Sequence, residues 1–407
     1  MASINDDALD EDTSPDFEME YVDISSVTPG SKRLAAESMK YGGAPSRARR
    51  IVKDGDILVS TVRTYLRAIA PVIDPPANLI ASTGFAVIRP REHCSHVFLN
   101  YSLQAASFIE EVIARSTGVS YPAINAHELA FIKLPLPPLK QEQECIGLFL
   151  DTETSKIDAL IEEQRRLIEL LKEKRQAAIS HAVTKGLNPD TPTKDSGSDW
   201  LGFIPNHWNS GVLVRCASRI VVGIAEAATH AYADEGVPIL RSTNIRAGRI
   251  IGDILRILPE FAADRGSKLI NSNDLITVRT GNAGVTAVVP AELDGCQCFT
   301  MLITSLVDEA VPGFYCYYIN SDIAIAYFGV EGWGTAQVNI SVPIPIPSKG
   351  EQEAIVRYLD IEVGRIDELT QEAEKVVSLL LERRSALISA AVTGKIDVRN
   401  YTPKGAA

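Results

Sequence analysis

One stretch of this chain occurs twice, and the repeat constrains the architecture more than any other feature. Glu142-Gln143-Glu144, Ile146, Leu150-Asp151, Ile157-Asp158, Leu171, Arg175, Ile179-Ser180 and Ala182-Val183-Thr184 recur as Glu351-Gln352-Glu353, Ile355, Leu359-Asp360, Ile366-Asp367, Leu380, Arg384, Ile388-Ser389 and Ala391-Val392-Thr393. The offset is a constant 209 residues (351 against 142), so neither copy carries an insertion. About half the positions are identical, and a chain built twice around one segment presents two similar modules.

Each copy has the period of a long helix with one apolar seam. Leu150, Ile157, Gln164, Leu171 and Ala178 step by seven, with Leu160 and Leu167 in the same interval; Leu359, Ile366, Ala373, Leu380 and Leu387 do so in the second copy at matched register. Prolines 135, 137 and 138 precede the first helix and prolines 343, 345 and 347 the second, while Gly186 and Gly394 stop them. A helix from Gln141 to Thr184 would be roughly 60 to 65 Å long. Two matched seams are most economically buried against each other, for a gross gain on the order of 10 kcal/mol before entropy is subtracted. Antiparallel packing places the intervening blocks at opposite ends, related by a pseudo-twofold axis. Gln164, polar within the seam, is either a register device or exposed.

The blocks between the helices are mixed. Ile51 to Arg63 holds a turn at Asp54-Gly55 and a strand, Ser82 to Arg89 a second strand, and Val97 to Ala114 helical spacing. In the second block Asp274 to Val289 reads as two strands around a glycine turn. Asp56-Ile57-Leu58 corresponds to Asp274-Leu275-Ile276, and Asn125 to Asn339. The expected fold is therefore α/β: two mixed blocks separated by two long helices in an antiparallel coiled coil. The expected division is an acidic disordered tail over 1–20, a first block over 21–136, a helix region over 137–186, a polar linker over 187–199, a second block over 200–344, a second helix region over 345–396 and a tail over 397–407.

The net charge of −12 argues at first against a nucleic-acid partner, but eight acids and no base lie in the first twenty residues. Behind them, Lys40 to Arg67 carries seven bases against Asp54 and Asp56. Local sign governs partner binding more than the global sum. Six cysteines without C-x-x-C spacing suggest core thiols rather than disulfides or zinc. No apolar run reaches membrane-spanning length and no signal segment opens the chain, so a cytoplasmic location is expected. There is no Asn-Pro-Pro-Tyr motif, no phosphate-binding G-x-x-x-x-G-K-[ST] loop and no H-E-x-x-H, and His93 and His96 lack an acidic partner cluster.

Pro137-Pro138-Leu139 with Glu142-Gln143, Phe149-Leu150-Asp151, Leu171-Lys172-Glu173-Lys174-Arg175 and Ala182-Val183-Thr184-Lys185-Gly186 resemble the central region of type I restriction–modification specificity subunits. Trp200-Leu201-Gly202, Ile204-Pro205 and His207-Trp208 resemble the opening of that family's target-recognition domain, and Val392 to Asp397 its ending. The resemblance covers nearly the whole chain. It implies a non-catalytic DNA-recognition subunit in which each block reads half of a split, asymmetric site and the helix pair sets the spacing. Implied partners are double-stranded DNA, two modification subunits and the restriction subunits of a system that defends against foreign DNA. The chain itself is expected to bind no cofactor; S-adenosylmethionine, ATP and Mg belong on the partners. The first block enters at Tyr21-Val22-Asp23-Ile24 without the Trp-containing opening, which implies a first recognition domain shortened at its N-terminal side. The stretch from Asn339 to Glu351 is also shorter than that from Asn125 to Glu142.

For such a reader, Lys and Arg on phosphates supply affinity, and Arg, Asn and Gln on base edges supply specificity. The candidates are Arg47, Arg49, Arg50, Arg63 and Arg67 in the first block, and Arg241, Asn244, Arg246, Arg279, Thr280 and Asn282 in the second, where Gly281 and Gly284 would admit a phosphate to the backbone. A coiled-coil scaffold with degenerate recognition blocks and little DNA affinity remains the alternative at this level.

Overall fold

A computed structural model of the chain describes residues 1–27, 34–225, 229–263, 268–331, 341–399 and 401. It divides into two compact units, 1–165 with 374–407, and 166–373. Asn339 lies outside the described residues.

Unit 1 holds two four-stranded sheets. The first has the order β1 (Ala2–Ile4), β8 (Phe85–Pro90), β5 (Ile57–Ser60), β6 (Ile69–Pro71), antiparallel throughout. The second has the order β3 (Glu37–Lys40), β2 (Glu18–Val22), β7 (Leu79–Ser82), β4 (Ala48–Ile51), with β2 and β7 parallel. The runs Ile57-Leu58-Val59 and Phe85-Ala86-Val87-Ile88 are apolar at every position because both faces of the first sheet are covered. Ile57, Val59, Ala86 and Ile88 pack on Leu99, Leu103 and Phe108 of the helices α1 (His96–Gln104) and α2 (Ala106–Arg115). The alternate residues Leu58, Phe85 and Val87 meet Val22, Leu79 and Ala81 of the second sheet. The helical spacing expected over 97–114 is thus two helices, broken at the extended Ala105, where Ser389 Oγ accepts the freed N–H of Ala106 at 3.1 Å. A short helix, α3 (Ala126–Leu129), is capped by Asn125.

The acidic stretch 1–20, expected to be disordered, is part of this unit. β1 forms the edge strand of the first sheet and β2 begins at Glu18. Some of the stretch's carboxylates have partners: Arg89, which grips both oxygens of the buried Asp56 at 2.8 Å, donates to Asp7 at 2.6 Å, Lys53 pairs with Asp7 at 2.7 Å, and Lys40 pairs with Asp16 at 3.0 Å. The first hydrogen bonds from Lys53 and Arg89 hold the Asp7 carboxyl below its usual range. These acids are read as a solvated tail only while their bases, 24 and more residues away in sequence, are unseen.

Unit 2 repeats the arrangement. One sheet has the order β12 (Ala217–Val222), β21 (Leu302–Leu306), β18 (Leu275–Thr277), β19 (Thr286–Val288), again antiparallel. The other runs β13 (Tyr232–Ala233), β17 (Leu255–Ile257), β14 (Val237–Leu240), β20 (Gln297–Cys298), with β14 and β20 parallel. A hairpin, β15 (Ile245–Arg246) with β16 (Arg249–Ile250), and the helices α5 (Pro259–Ala263), α6 (Pro312–Ile319) and α7 (Asp322–Glu331) complete the body. The expected linker carries β9 (Thr193–Asp195), paired with β10 (Phe203–Pro205). β11 (Asn209–Val212) pairs with the proline lead-in strand β22 (Pro343–Ile346). The first block's lead-in, 134–138, forms no strand, so the Trp-containing opening missing there corresponds to this extra pairing. The sheet itself lacks nothing, because β1 takes the edge position that β12 holds in unit 2.

The two long helices are α4 (Lys140–Lys185) and α8 (Lys349–Val392). They run antiparallel within each unit. In unit 1, Ile146 and Leu150 of α4 share a core with Ile388, Ala391 and Val392 of α8. In unit 2, Ile179, Ala182 and Val183 of α4 share one with Ile355, Leu359 and Val363. The seven-residue step at Leu150, Ile157 and Leu171 is buried as expected, but Leu160 and Leu167 are exposed; Thr154, Ile161 and Ile168 fill the second seam position. Gln164 is half-buried. Gly186 ends α4 at φ +76°, its N–H closing on Ala182 O at 3.1 Å.

Each mixed block is bolted to the start of the helix that follows it by the same contacts. Gln143 accepts from Ser95 N at 2.8 Å and donates to Pro137 O at 2.9 Å; Gln352 accepts from Val311 N at 2.7 Å and donates to Pro347 O at 2.9 Å. Tyr101 donates to Asp151 and Tyr317 to Asp360, both at 2.8 Å. The size of one contact is inverted. A Cβ on Gly147 would meet Val97 Cγ1 at 2.9 Å, whereas in unit 2 the glycine is Gly313 on the block and the valine is Val356 on the helix, 3.1 Å from such a Cβ.

Candidate nucleic-acid interface

The candidate residues of unit 1 fall on two features. Arg47, Arg49 and Arg50 flank or lie on β4, whose register shifts between Ala48 and Arg50. Arg47 donates to Asp23 at 2.7 Å and to Tyr21 Oη at 3.2 Å; Arg49 lies over the Tyr41 ring at 5.1 Å and bonds its hydroxyl. Arg50 Nε is buried without a hydrogen-bond partner. These side chains are oriented by internal contacts, and Arg47 is partly neutralised.

Arg63 and Arg67 flank a different feature, the tip of the β5–β6 hairpin. Thr64–Leu66 form a 3-10 turn there, and both arginines take left-handed backbone, φ +50° and +52°. That conformation costs a non-glycine residue about 1–2 kcal/mol, so the surroundings must enforce it. They do so through Leu66 N to Arg63 O at 2.8 Å, Arg67 N to Thr64 O at 3.1 Å, Thr64 Oγ1 to Ser116 Oγ at 2.9 Å and Ile124 N to Thr61 O at 2.8 Å. The result is a braced tip on which Tyr65 is 53% and Leu66 42% exposed. The neighbouring loop, 116–123, adds Val119 at 101% and Tyr121 at 65%, and Arg63 sits 5.0 Å over the Tyr121 ring. Sequence reasoning missed Val119 and Tyr121, which lie more than fifty residues from Arg63. The local signal was Gly118, at φ +106°, in a polar stretch ending Tyr121-Pro122.

In unit 2, Asn244 is not available to a ligand as expected. It is buried: its Oδ1 accepts from Arg241 N at 3.0 Å and its Nδ2 donates to Ile251 O and Asp253 O at 3.0 and 3.1 Å. An amide so used shapes the 241–253 turn. Arg241 reaches Asp253 O at 3.3 Å, and Arg246 is exposed and leans on Ile245 O at 2.9 Å. The β18–β19 hairpin tip exposes Thr280, Gly281 and Asn282, with Arg279 half-buried at its base. Gly281 and Gly284 both have positive φ, +82° and +85°. This tip carries no aromatic residue, unlike its counterpart in unit 1.

His93 and His96 are exposed, and among the described residues no group of three or more His, Cys, Asp or Glu side chains could hold a metal ion. Cys94, Cys216, Cys296, Cys298 and Cys316 are buried; only Cys145 among the six is partly accessible. No helix among the described residues is long and apolar enough to cross a membrane.

Residues 9–170 match the sequence profile described as a type I restriction modification DNA specificity domain. The match begins within the acidic stretch, where β2 and its sheet also begin. The type I restriction enzyme MjaVIII specificity subunit of Methanocaldococcus jannaschii is 23% identical over 342 residues, covering 79% of this chain and 75% of that one. A solved chain described as the structural basis underlying complex assembly and conformational transition of the type I R-M system is 22% identical, covers 96% of this chain and 95% of its own, and superposes with a TM-score of 0.75. The HsdS subunit from Thermoanaerobacter tengcongensis, also 22% identical, covers 96% and 94% with a TM-score of 0.51. These structures share the fold.

Proposed function

We propose that this chain, which resembles type I restriction–modification specificity subunits along most of its length, is the non-catalytic DNA-recognition subunit of such a complex, reading a split, asymmetric site with one half-site per unit. The observation that carries the reading is the duplication of a two-sheet body, with the same strand order in the antiparallel sheet and one parallel pair in the other, each copy presenting polar or basic residues at a hairpin tip. Arg63, Arg67, Thr280 and Asn282 lie at those tips and are assigned to the bases and their adjoining phosphates. Arg47, Arg49, Arg50, Arg241, Arg246 and Arg279 are assigned to phosphate contact, which positions a protein without reading sequence. Asn244 is assigned to holding its turn.

The helix pair is the spacer. A helix of 46 residues is about 69 Å long, about two turns of B-DNA at about 34 Å each. The assembly proposed around it holds two modification subunits, which bring S-adenosylmethionine, and restriction subunits, which bring ATP and Mg, in the cytoplasm. The scaffold alternative has no observation in its favour once the acidic stretch is part of a folded recognition unit.

The test is reconstitution with a cognate modification subunit, followed by mapping of methylated adenines across a genome. A two-part motif with a fixed spacer is the expected result. A single half-motif would restrict reading to one unit, and random or absent methylation would refute the proposal.

A further inference from the structure

The tip of the first recognition unit carries more apolar surface than phosphate contact needs. Tyr65, Leu66, Val119 and Tyr121 are all large and exposed, and they converge where Arg63 lies over the Tyr121 ring. Isolated exposed apolar residues are normal; a cluster held rigidly at the end of a hairpin marks an interaction site. Its charge selects the partner. Segments 60–68 and 116–123 contain Arg63 and Arg67 and no carboxylate, in a chain of net charge −12. An aromatic residue between two cations suits a stack of bases inside a phosphate backbone.

We propose that the 61–68 hairpin tip is a wedge, with Tyr65 and Leu66 placed against an opened base step of the first half-site and Arg63 and Arg67 on the flanking phosphates. Val119 and Tyr121 form the wall behind it. The left-handed backbone at Arg63 and Arg67, with the bonds from Thr61 to Ile124 and from Thr64 to Ser116, keeps the tip rigid, so little ordering remains to be done on binding. The tip of unit 2, Arg279 to Gly284, carries Gly281 and Asn282 where unit 1 has Tyr65 and Leu66, so it has no large apolar or aromatic side chain to insert. The two half-sites are therefore read by different means: the first is deformed, the second is contacted on an undistorted duplex. This inference rests on the DNA-reading function proposed above.

The experiment uses the full chain assembled with its modification subunits and a duplex carrying the site mapped by methylation. 2-Aminopurine is substituted at successive positions of each half. Unstacking at one step should raise its fluorescence in the first half-site on binding, with no such change in the second. Tyr65→Ala with Leu66→Ala should abolish the rise and weaken binding about tenfold, while Tyr65→Phe, which keeps the ring, should retain both. Arg63→Ala and Arg67→Ala should each reduce the salt dependence of binding by about one counterion. A native assembly that binds and methylates its motif without a fluorescence change, or a Tyr65→Ala/Leu66→Ala variant that behaves as native, overturns the wedge and leaves the reading function standing. Loss of modification-subunit binding in that variant would overturn it in favour of a protein-docking surface. An assembly that recognises no DNA at all removes both.

Discussion

Arg175 donates through Nε to Asp367 at 2.9 Å, and the repeat-equivalent pair makes the same bond: Arg384, 209 residues after Arg175, donates to Asp158, 209 residues before Asp367, at 2.8 Å. One copy of this Arg–Asp pair between α4 and α8 lies in each unit, so the sequence repeat is also a repeat of contacts. Arginine heads at the fourth residue of the seam step reach across to an aspartate of the antiparallel helix, which fixes both direction and register. Arg384 is the more enclosed, its side chain 13% exposed, yet all four groups retain some water. Asp367→Ala or Asp158→Ala is expected to cost about 1 kcal/mol, with salt reducing the effect. Exchanging the charges, Arg175→Asp with Asp367→Arg, should restore most of it in a double-mutant cycle read by urea midpoint; a coupling of zero would mean the pair contributes no register.

The inverted valine–glycine contact gives each recognition unit a private fit to its own helix. Gly147→Val should overpack against Val97 and destabilise by about 1–3 kcal/mol, even though valine is the better helix residue. Adding Val97→Gly recreates the arrangement of Gly313 on Val356 and should recover part of that loss. Strictly additive costs would show that the two positions do not meet. The practical consequence concerns chimaeras: a first-block segment joined upstream of residue 147 to the second helix would set Val97 on Val356.

Gln143 and Gln352 explain why the Glu-Gln-Glu motif recurs. Each amide is buried, accepts one backbone N–H and donates to carbonyls in the preceding lead-in. Gln143→Ala leaves Ser95 N–H and Pro137 O without partners inside the fold and should cost about 2–3 kcal/mol. Amide exchange should speed up at Ser95 in particular; uniform exchange at its native rate would deny the glutamine this anchoring role.

Thiol chemistry offers a check on the cores. Burial pushes the Cys296, Cys298 and Cys316 thiols up to about 12 and raises that of Cys94, so their thiolate forms are scarce at neutral pH. Titration of the native chain with a thiol reagent at pH 7.5 should modify about one cysteine, Cys145, with the rest reacting only after denaturation. Rapid modification of Cys296 or Cys298 would place the second-unit core open to solvent.

Much of this protein was legible from residue spacing. The repeat, the proline lead-ins, the glycine stops and the seven-residue step specify two long helices with matched seams, because helix period and punctuation are local properties of the chain. The parallel between Asp56-Ile57-Leu58 and Asp274-Leu275-Ile276 correctly identified equivalent buried strands. What depended on a partner was not legible. Residues 160 and 161 are both apolar, as are 167 and 168, and only tertiary packing decides that Ile161 and Ile168 are buried while Leu160 and Leu167 are not. Asp7 of the acidic stretch became structural only when Arg89 and Lys53 folded beside it. Asn244 had the residue type of a base reader and was consumed by its own turn, whereas Tyr121 had no claim until Arg63 was placed over it. Sequence alone determined the two long helices, their stops and the equivalent buried strands after Asp56 and Asp274, since those follow from neighbours in the chain. Tertiary structure decided which side chains remain for DNA, because availability is set by contacts between residues far apart in sequence.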